Sequence, residues 1–413
     1  MRQTRQIDSA SGRKPQSDGR LHSRLTGVKR FRIQLEYLFV VAIKNGWRMN
    51  RRNILVGAGG ALLLAGAGTF AWKSAVGSMA DYRNHAGRLR ARLPQNPEVV
   101  DLIRFATLAA NGHNTQPWLF RVEKSVIEIL PDHSRRTPVV DPDDHHLFVS
   151  LGCAAENLLI AANASGRPGD LETAEGKSGV RFRYSDGQAR SEPLLAAIPA
   201  RQSTRAEFDR RSLPAADMKA LEQAGAIPGV RMVILAERQQ IDGVRDLVIA
   251  GNSTQMADPA FVRELKQWLR FNPRGAMAAG DGLFAAASAN PVLPNLLGGI
   301  AFERFFTIEG ENDKYARHIG TSVGIAVFMS ERDDEAHWIA AGRACQRFAL
   351  TATSLGVKHA FINQPVEVAR LRPELAALVG ESGKRPDIVM RFGYGPVLPY
   401  SLRRPVEAVM VEV

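Results

Sequence analysis

The 413-residue chain, 45% hydrophobic, is long enough for two units with cores of their own. Cys153 and Cys345 are its only cysteines, too few for a disulfide framework or a thiolate metal cluster, and its nine histidines form no HExxH pair. The formal charge of +12 would suit nucleic acid, but residues 1–52 hold 13 Arg or Lys against Asp8, Asp18 and Glu36. They account for +10 and leave +2 for the rest, so the basic character belongs to an extension and argues against a nucleic-acid partner.

Residues 1–27 are polar and rich in Arg, Ser, Gln and Gly, the composition of a disordered segment. Residues 1–48 form a basic extension upstream of Met49, a second candidate start. Arg51-Arg52 then precede an apolar run, Ile54 to Trp72. A positive stretch before a moderately apolar one is an export signature. NRRNILV resembles the twin-arginine translocation signal, with Ile54 where Phe is common. Its 19 residues, at about 1.5 Å each, nearly span a hydrocarbon layer of roughly 30 Å. Residues 49–80 are expected to be a signal or membrane anchor read by the twin-arginine machinery. The expected location is the periplasm or the periplasmic face of the inner membrane, with membrane association through residues 54–72.

Folded sequence is expected from about Asp81. PEVVDLIRFATLAANG has helical spacing and stops at Asn111-Gly112. NGHNTQPWLF follows, where Pro117 ends the helix and Trp118 enters a strand. LFRVEKSVIEILP reads as a hairpin turning at Glu123-Lys124, with Phe120, Val122, Val126, Ile127 and Ile129 inward. Asp143-Asp144-His145-His146 fits the start of a helix better than a metal set. That helix runs to Gly166, placed as a C-terminal cap. VRFRY (180–184) is another strand. RQSTRAEFD then opens a second unit with strands at 230–237, 322–330 and 386–395, a loop-rich middle, and a helix from His337 closed by Gly356.

The two long helices align without gaps at an offset of 190. Gly152 matches Gly342, Leu158 Phe348, Ile160 Leu350, Ala162 Ala352, and Gly166 Gly356. A helix-plus-sheet unit occurring twice predicts an internal pseudo-two-fold. In RQSTR, strand alternation puts Arg201, Ser203 and Arg205 on one side, two guanidinium groups and a hydroxyl suited to a phosphate. Arg403 and Arg404, between GYGP and Pro405, are placed to close over the same anion.

NTQPW (114–118), RQSTRAEFD (201–209), SLGVKHAFINQPVEV (354–368) and RFGYG through RRPV (391–406), in this order, resemble the nitroreductase superfamily of flavin-dependent oxidoreductases. Within it they resemble the two-unit, single-chain branch related to the mycobacterial Acg protein. The resemblance implies an α+β nitroreductase-like fold, internally duplicated as a fused pseudo-dimer, with units at 81–195 and 196–413. It implies FMN as cofactor. Arg201, Ser203, Arg205 and Arg403 or Arg404 would hold its phosphate and ribityl chain. Asn114 and Gln116 would line the flavin from the opposite unit, and Asn363-Gln364 would lie at flavin N5. NTQPW occurs only in the first unit and RxSxR only in the second, so one chain assembles one flavin site and a monomer suffices.

The chain departs from the family pattern at Asn111-Gly112-His113 and at Asn363-Gln364. The implied activity passes a hydride or electrons from a reduced donor, NAD(P)H, through FMN to a small organic acceptor. No side chain is required as a nucleophile, and His113 is a candidate proton donor. The alternative is a non-enzymatic FMN holder whose site is lidded by the Gly/Pro-rich segment Trp268 to Lys314.

Overall fold

The computed structural model describes residues 72–173 and 178–412, all within a body that runs from Thr69 to the C-terminus. The basic extension, the arginine pair and the apolar run up to residue 71 lie outside the described residues. Helices α1 (Met79–Leu89) and α2 (Val99–Thr107) lead to the hairpin β1 (Trp118–Glu123) and β2 (Val126–Pro131). Helix α3 (His145–Ala164), β3 (Gly169–Thr173) and β4 (Val180–Tyr184) complete the first unit. The hairpin register, Phe120 with Ile129 and Val122 with Ile127, puts those four on one face. Val126 is therefore not inward: alternation forbids it from sharing a face with Ile127, and it is only half-buried.

The second unit has helix α4 (Ala215–Ala224), strand β5 (Val230–Leu235), helix α5 (Arg238–Met256), and four more helices, α6 (Pro259–Gln267), α7 (Pro273–Ala279), α8 (Asn295–Phe305) and α9 (Ile308–Gly320). Strand β6 (Gly324–Ser330), helix α10 (Glu335–Ser354), β7 (Lys358–Phe361), β8 (Pro386–Gly393) and β9 (Met410–Val411) follow. The middle that reads as loop is thus mostly helical. Its Gly, Pro and Asn residues are caps as well as breakers. Pro259 and Pro273 occupy first turns, and the side chains of Asp258, Asn272 and Thr307 accept from the first turns of α6, α7 and α9.

The sheets repeat one plan. The first has the order β9-β1-β2-β4-β3 and the second β5-β6-β8-β7. Setting β9 aside, β1, β2, β4 and β3 stand where β5, β6, β8 and β7 stand, all antiparallel. The units differ between their first two strands. The first unit turns in two residues, whereas the second inserts α5 through α9. Every residue of β6 and β8 is buried, because both faces are covered. Ala326, Phe328 and Met390 face the core shared with α3 and α10, while Ile325, Val327 and Val389 face the inserted helices.

Helices α3 and α10 form the interface. A Cβ on Gly152 would stand 2.0 Å from the Ile339 carbonyl oxygen, and one on Gly342 would stand 2.1 Å from that of Val149. Ile339 follows Val149 at the same offset of 190 as Gly342 follows Gly152, so each contact is the mate of the other. Glu156, fully buried, pairs with Arg347 at 2.5 Å. The equivalent positions, Gln346 and Asn157, share an amide hydrogen bond of 2.8 Å. One two-fold contact has become an ion pair and its mate a neutral bond. The helix ends also match: Arg167 N donates to Ala162 O after Gly166 at φ 72, and Val357 N to Ala352 O after Gly356 at φ 74. Cys153 and Cys345 are free thiols 3.6 Å apart within this interface. Helix α3 is the one described helix long and apolar enough to cross a membrane, and it is a buried core helix.

Candidate cofactor site

The C-terminal arm leaves β8, crosses to the first unit and ends as β9, parallel to β1, with Phe120 opposite Met410. On the way it closes a cleft between the units. Arg90, Asn111, Asn114, Arg201, Ser203, Arg205 and Arg403 line it, with Tyr400 and Ser401 of the arm and Leu283 and Ala287 of the insertion.

NTQPW is a strained turn. His113, Asn114 and Gln116 have φ of 48°, 56° and 56°, a region that costs a side-chain-bearing residue roughly 1–2 kcal/mol. Side-chain bonds hold it there. Asn111 Oδ1 accepts from Gln116 N at 2.9 Å. Asn114 Nδ2 donates to the carbonyls of Gly282 and Leu402, and its Oδ1 accepts from Arg403. Gln116 Nε2 donates to Gly280 O and its Oε1 accepts from Arg404 N. The Asn and Gln of this motif therefore tie the turn to the insertion and to the C-terminal arm. Asn114 reaches the cleft wall; Gln116 is fully buried behind it.

Arg201, Ser203 and Arg205 all line the cleft, as expected, but Gln202 lines it too, because the segment is irregular and pairs with β7 only at Ser203. Ser203 bridges His359 of β7, and Thr204 N donates to His359 O. Beneath it, the buried Arg391 donates to the carbonyls of His318, Thr204 and Ala206 and fixes the segment's path. Arg201 donates once, to Leu108 O, and its Nε and Nη1 are buried with no partner. Burial lowers the pKa of Arg205, with Tyr315 opposing.

Of the paired arginines near the C-terminus, the cleft takes Arg403. It donates to the carbonyls of Thr107, Leu108 and Ala109, the negative end of α2, and to Asn114. Arg404 turns away, donating to Ala408 O and facing Asp132 at 3.6 Å. Its placement in the anion site is corrected here: Gln116 and Asp132 draw it to the arm's other side.

Arg90 escapes sequence reasoning. It caps α1, donates to Pro199 O and Arg201 O, and lies 4.2 Å from the centre of the Tyr400 ring. Burial, then Arg201, pulls it down to about 9. Nothing in GRLRARL separates it from Arg88 and Arg92. Among the described residues, none of Arg90, Arg201, Arg205 and Arg403 has a carboxylate partner. Four guanidinium groups converging without a counterion is unfavourable unless an anion joins them.

Beyond Arg205 lies a second polar group. Burial, then Arg205 and His146, pulls His113 down to about 4, so its imidazole is neutral near pH 7. Burial lowers His146, but hydrogen bonding and charge from Asp141 outweigh it and the net shift is upward. His146 Nε2 stands 3.3 Å from Asn363 Nδ2, and Asn363 Oδ1 accepts from Val389 N. Gln364 is buried against Gly251, and its Oε1 has no partner. Asn363 and Gln364 thus sit near this group and do not line the cleft. Asp141, His145 and His146 offer ligand atoms within 4.8 Å of one another. Asp141 is already used, accepting from His146 N and Leu147 N at the start of α3, and His145 is bonded to Asp387. The helix start is as expected, with Asp141 rather than Asp143 or Asp144 as its acceptor.

The insertion is part of the wall and not a free flap. Gly282 N donates to Asn114 O, and Asp281 pairs with Arg135 and Arg270. Tyr82, Phe284 and Leu402 pack together, joining α1, the insertion and the arm.

No protein-family model matches the chain. It is 25% identical over 333 residues to a provisionally named NAD(P)H nitroreductase of Mycobacterium tuberculosis H37Rv and to its counterpart in strain CDC 1551. Those alignments cover 78% of this chain and 93% of each relative. Among solved structures, an FMN-bound nitroreductase from Bacteroides fragilis matches at 18% identity and TM-score 0.31, covering 50% of this chain and 90% of that one. The FMN-dependent nitroreductase NfnB from Mycobacterium smegmatis, in complex with NADPH, matches at 15% and 0.32, covering 49% and 87%. The chain is thus related in sequence to mycobacterial proteins named NAD(P)H nitroreductases, and its α+β fold carries two units of one plan within one polypeptide.

Proposed function

We propose that the chain is an FMN-dependent oxidoreductase of nitroreductase type that takes reducing equivalents from NAD(P)H and passes them to a small organic acceptor. One observation carries the reading: four arginines without carboxylate partners among the described residues converge on a cleft where Arg201 Nε and Nη1 are orphaned donors. A phosphate monoester supplies the missing acceptors and charge. Arg201, Ser203 and Arg205 hold that phosphate, Arg403 and Arg90 add positive potential, and Asn114 fixes Arg403. Asn363 and Gln364 lie beside the polar group of His113 and His146 beyond Arg205, where the resemblance puts the flavin ring. When bound, FMN supplies hydride and electron transfer. The protein's part is to grip, orient and exclude water. His113, neutral at pH 7, offers an N–H donor and not an imidazolium.

We further take 81–195 and 196–413 as the two units, the two-unit branch related to Acg as the branch the chain resembles, and residues 49–80 as a twin-arginine signal or anchor. On the last reading the protein works in the periplasm or on the periplasmic face of the inner membrane. The bonds from Gly280 and Gly282 to NTQPW favour one second reading, an FMN holder whose wall restricts donor access. The test is to purify the full chain, record its flavin spectrum, and add NADH or NADPH without oxygen. Bleaching of oxidised flavin supports the reductase. Bound flavin that dithionite bleaches and neither nicotinamide does supports the holder. A colourless chain that takes up no FMN overturns both.

A further inference from the structure

Helix α8 turns an apolar face to the outside. Leu296 is 76% exposed, Ile300 50% and Leu297 43%, followed by Phe305 at 63%. The helix cannot roll to bury them. Its opposite side is fixed at Gly298, where a Cβ would meet the Phe271 ring at 2.4 Å. The other large exposed hydrophobics, apart from Ile308, are scattered along the chain, so the concentration here is distinctive.

The place where the chain enters the described body is close by. Arg274 Nη1 donates to Ser74 O at 2.7 Å, and Gly77 packs on the Arg274 backbone. Arg274 lies in α7, whose cap Asn272 donates to Asn295 Oδ1 at 2.7 Å, at the start of α8. Residues 74–77 and the apolar helix therefore share one region of surface. Immediately upstream, the sequence from Ile54 to residue 71 is apolar and ends at Trp72, a residue type that favours the membrane interface. Lys73, Arg274 and Arg304 are exposed in the same segments, as anionic headgroups would favour.

We propose that α8 lies on the lipid bilayer surface, as a second point of attachment beside an N-terminal anchor. A bilayer that holds residues 54–71 brings residues 72–77 to its surface, and α8 comes with them. Eleven residues make a helix of about 16 Å, enough to seat Leu296, Leu297 and Ile300 among the acyl carbons just below the headgroups. The inference rests on the anchor reading of residues 54–72 and is independent of FMN.

The test uses the full chain carrying Ile300→Cys. Cys153 and Cys345 are buried, so an environment-sensitive thiol dye reaches only position 300. The labelled chain is reconstituted into phosphatidylethanolamine–phosphatidylglycerol vesicles containing lipids with a nitroxide at a shallow or a deep acyl carbon. The expected result is flotation with the vesicles, severalfold stronger quenching by the shallow nitroxide than by the deep one, and protection from aqueous iodide. A chain that floats while its label stays open to iodide and untouched by nitroxide overturns the docking and leaves the anchor standing. Protection without nitroxide quenching also overturns it, and points to a second copy if it grows with protein density, or to the upstream segment if it does not. A chain that does not float overturns anchor and docking together.

Discussion

Arg403 Nη1 donates to Asn114 Oδ1 at 2.8 Å, and through that bond the last arm of the second unit is fixed to the strained turn of the first. Asn114→Ala removes this acceptor and both donors to Gly282 O and Leu402 O, at a position with φ 56°. We expect a loss of roughly 2–4 kcal/mol in unfolding free energy and weaker FMN binding, since Arg403 is no longer held. Chemical denaturation and an FMN titration check this. Asn114→Asp, which keeps an acceptor but adds a negative charge to the cleft, is expected to weaken FMN more than it weakens the fold.

Arg205 separates binding from folding. It has no hydrogen-bond or ion-pair partner among the described residues, so the apoprotein has little to lose when it goes. Arg205→Ala is expected to leave apoprotein stability unchanged or slightly raised, while FMN affinity falls by roughly 2–5 kcal/mol. Fluorescence titration with FMN, beside the thermal midpoint of the apoprotein, reads both. Unchanged affinity would reduce RxSxR to a charged face.

Arg90 makes the same bet from outside the motifs. Arg90→Ala removes a half-buried cation stacked on Tyr400 and is expected to weaken FMN about tenfold or more, some 1.4 kcal/mol. Arg90→Lys should restore part of this, because it keeps the charge and loses the planar fork. Equal affinity in all three proteins would confine Arg90 to its bonds with Pro199 and Arg201.

Gly152 tests the two-fold. Its missing Cβ would overlap the Ile339 carbonyl at 2.0 Å, and backbone cannot step aside as a side chain end can. Gly152→Ala and Gly342→Ala are each expected to cost about 3 kcal/mol, with similar denaturant midpoints because the two contacts are mates. A large disparity between them would show that the interface is not two-fold in energy.

His113 carries one share of the pH dependence, beside His145, His318 and His359, which burial also shifts downward. Its folded pKa, about 4, lies below its ordinary 6.5, so the unfolded chain takes the proton first. It therefore contributes stability above pH 6.5 that is lost as pH falls toward 4. The ceiling is about 1.4 kcal/mol per pH unit, reduced by the partial exposure of the ring. His146, shifted upward, acts in the opposite direction. Urea midpoints from pH 7.5 to 4.5 should decline, and His113→Gln should flatten the decline.

The sequence alone determined what local rules and pairwise spacing can carry. The offset of 190 identified the interface helices, because small residues and glycine caps must recur wherever two copies of one helix meet. The RxSxR spacing pointed to Arg201, Ser203 and Arg205 as a group, and all three line the cleft, although Gln202 joins them there. The inserted segment reads as loop yet folds mostly as helix, since proline, asparagine and glycine mark helix ends as well as turns. Only the tertiary structure separated Arg403 from Arg404, because adjacent residues differ in which distant carbonyls and carboxylates they meet. It alone brought Arg90 to the cleft from another helix, and revealed Gln116 as a tie to the arm and insertion. Convergence of cations is a property of the folded surface, set by long-range packing, and a linear chain carries no local sign of it.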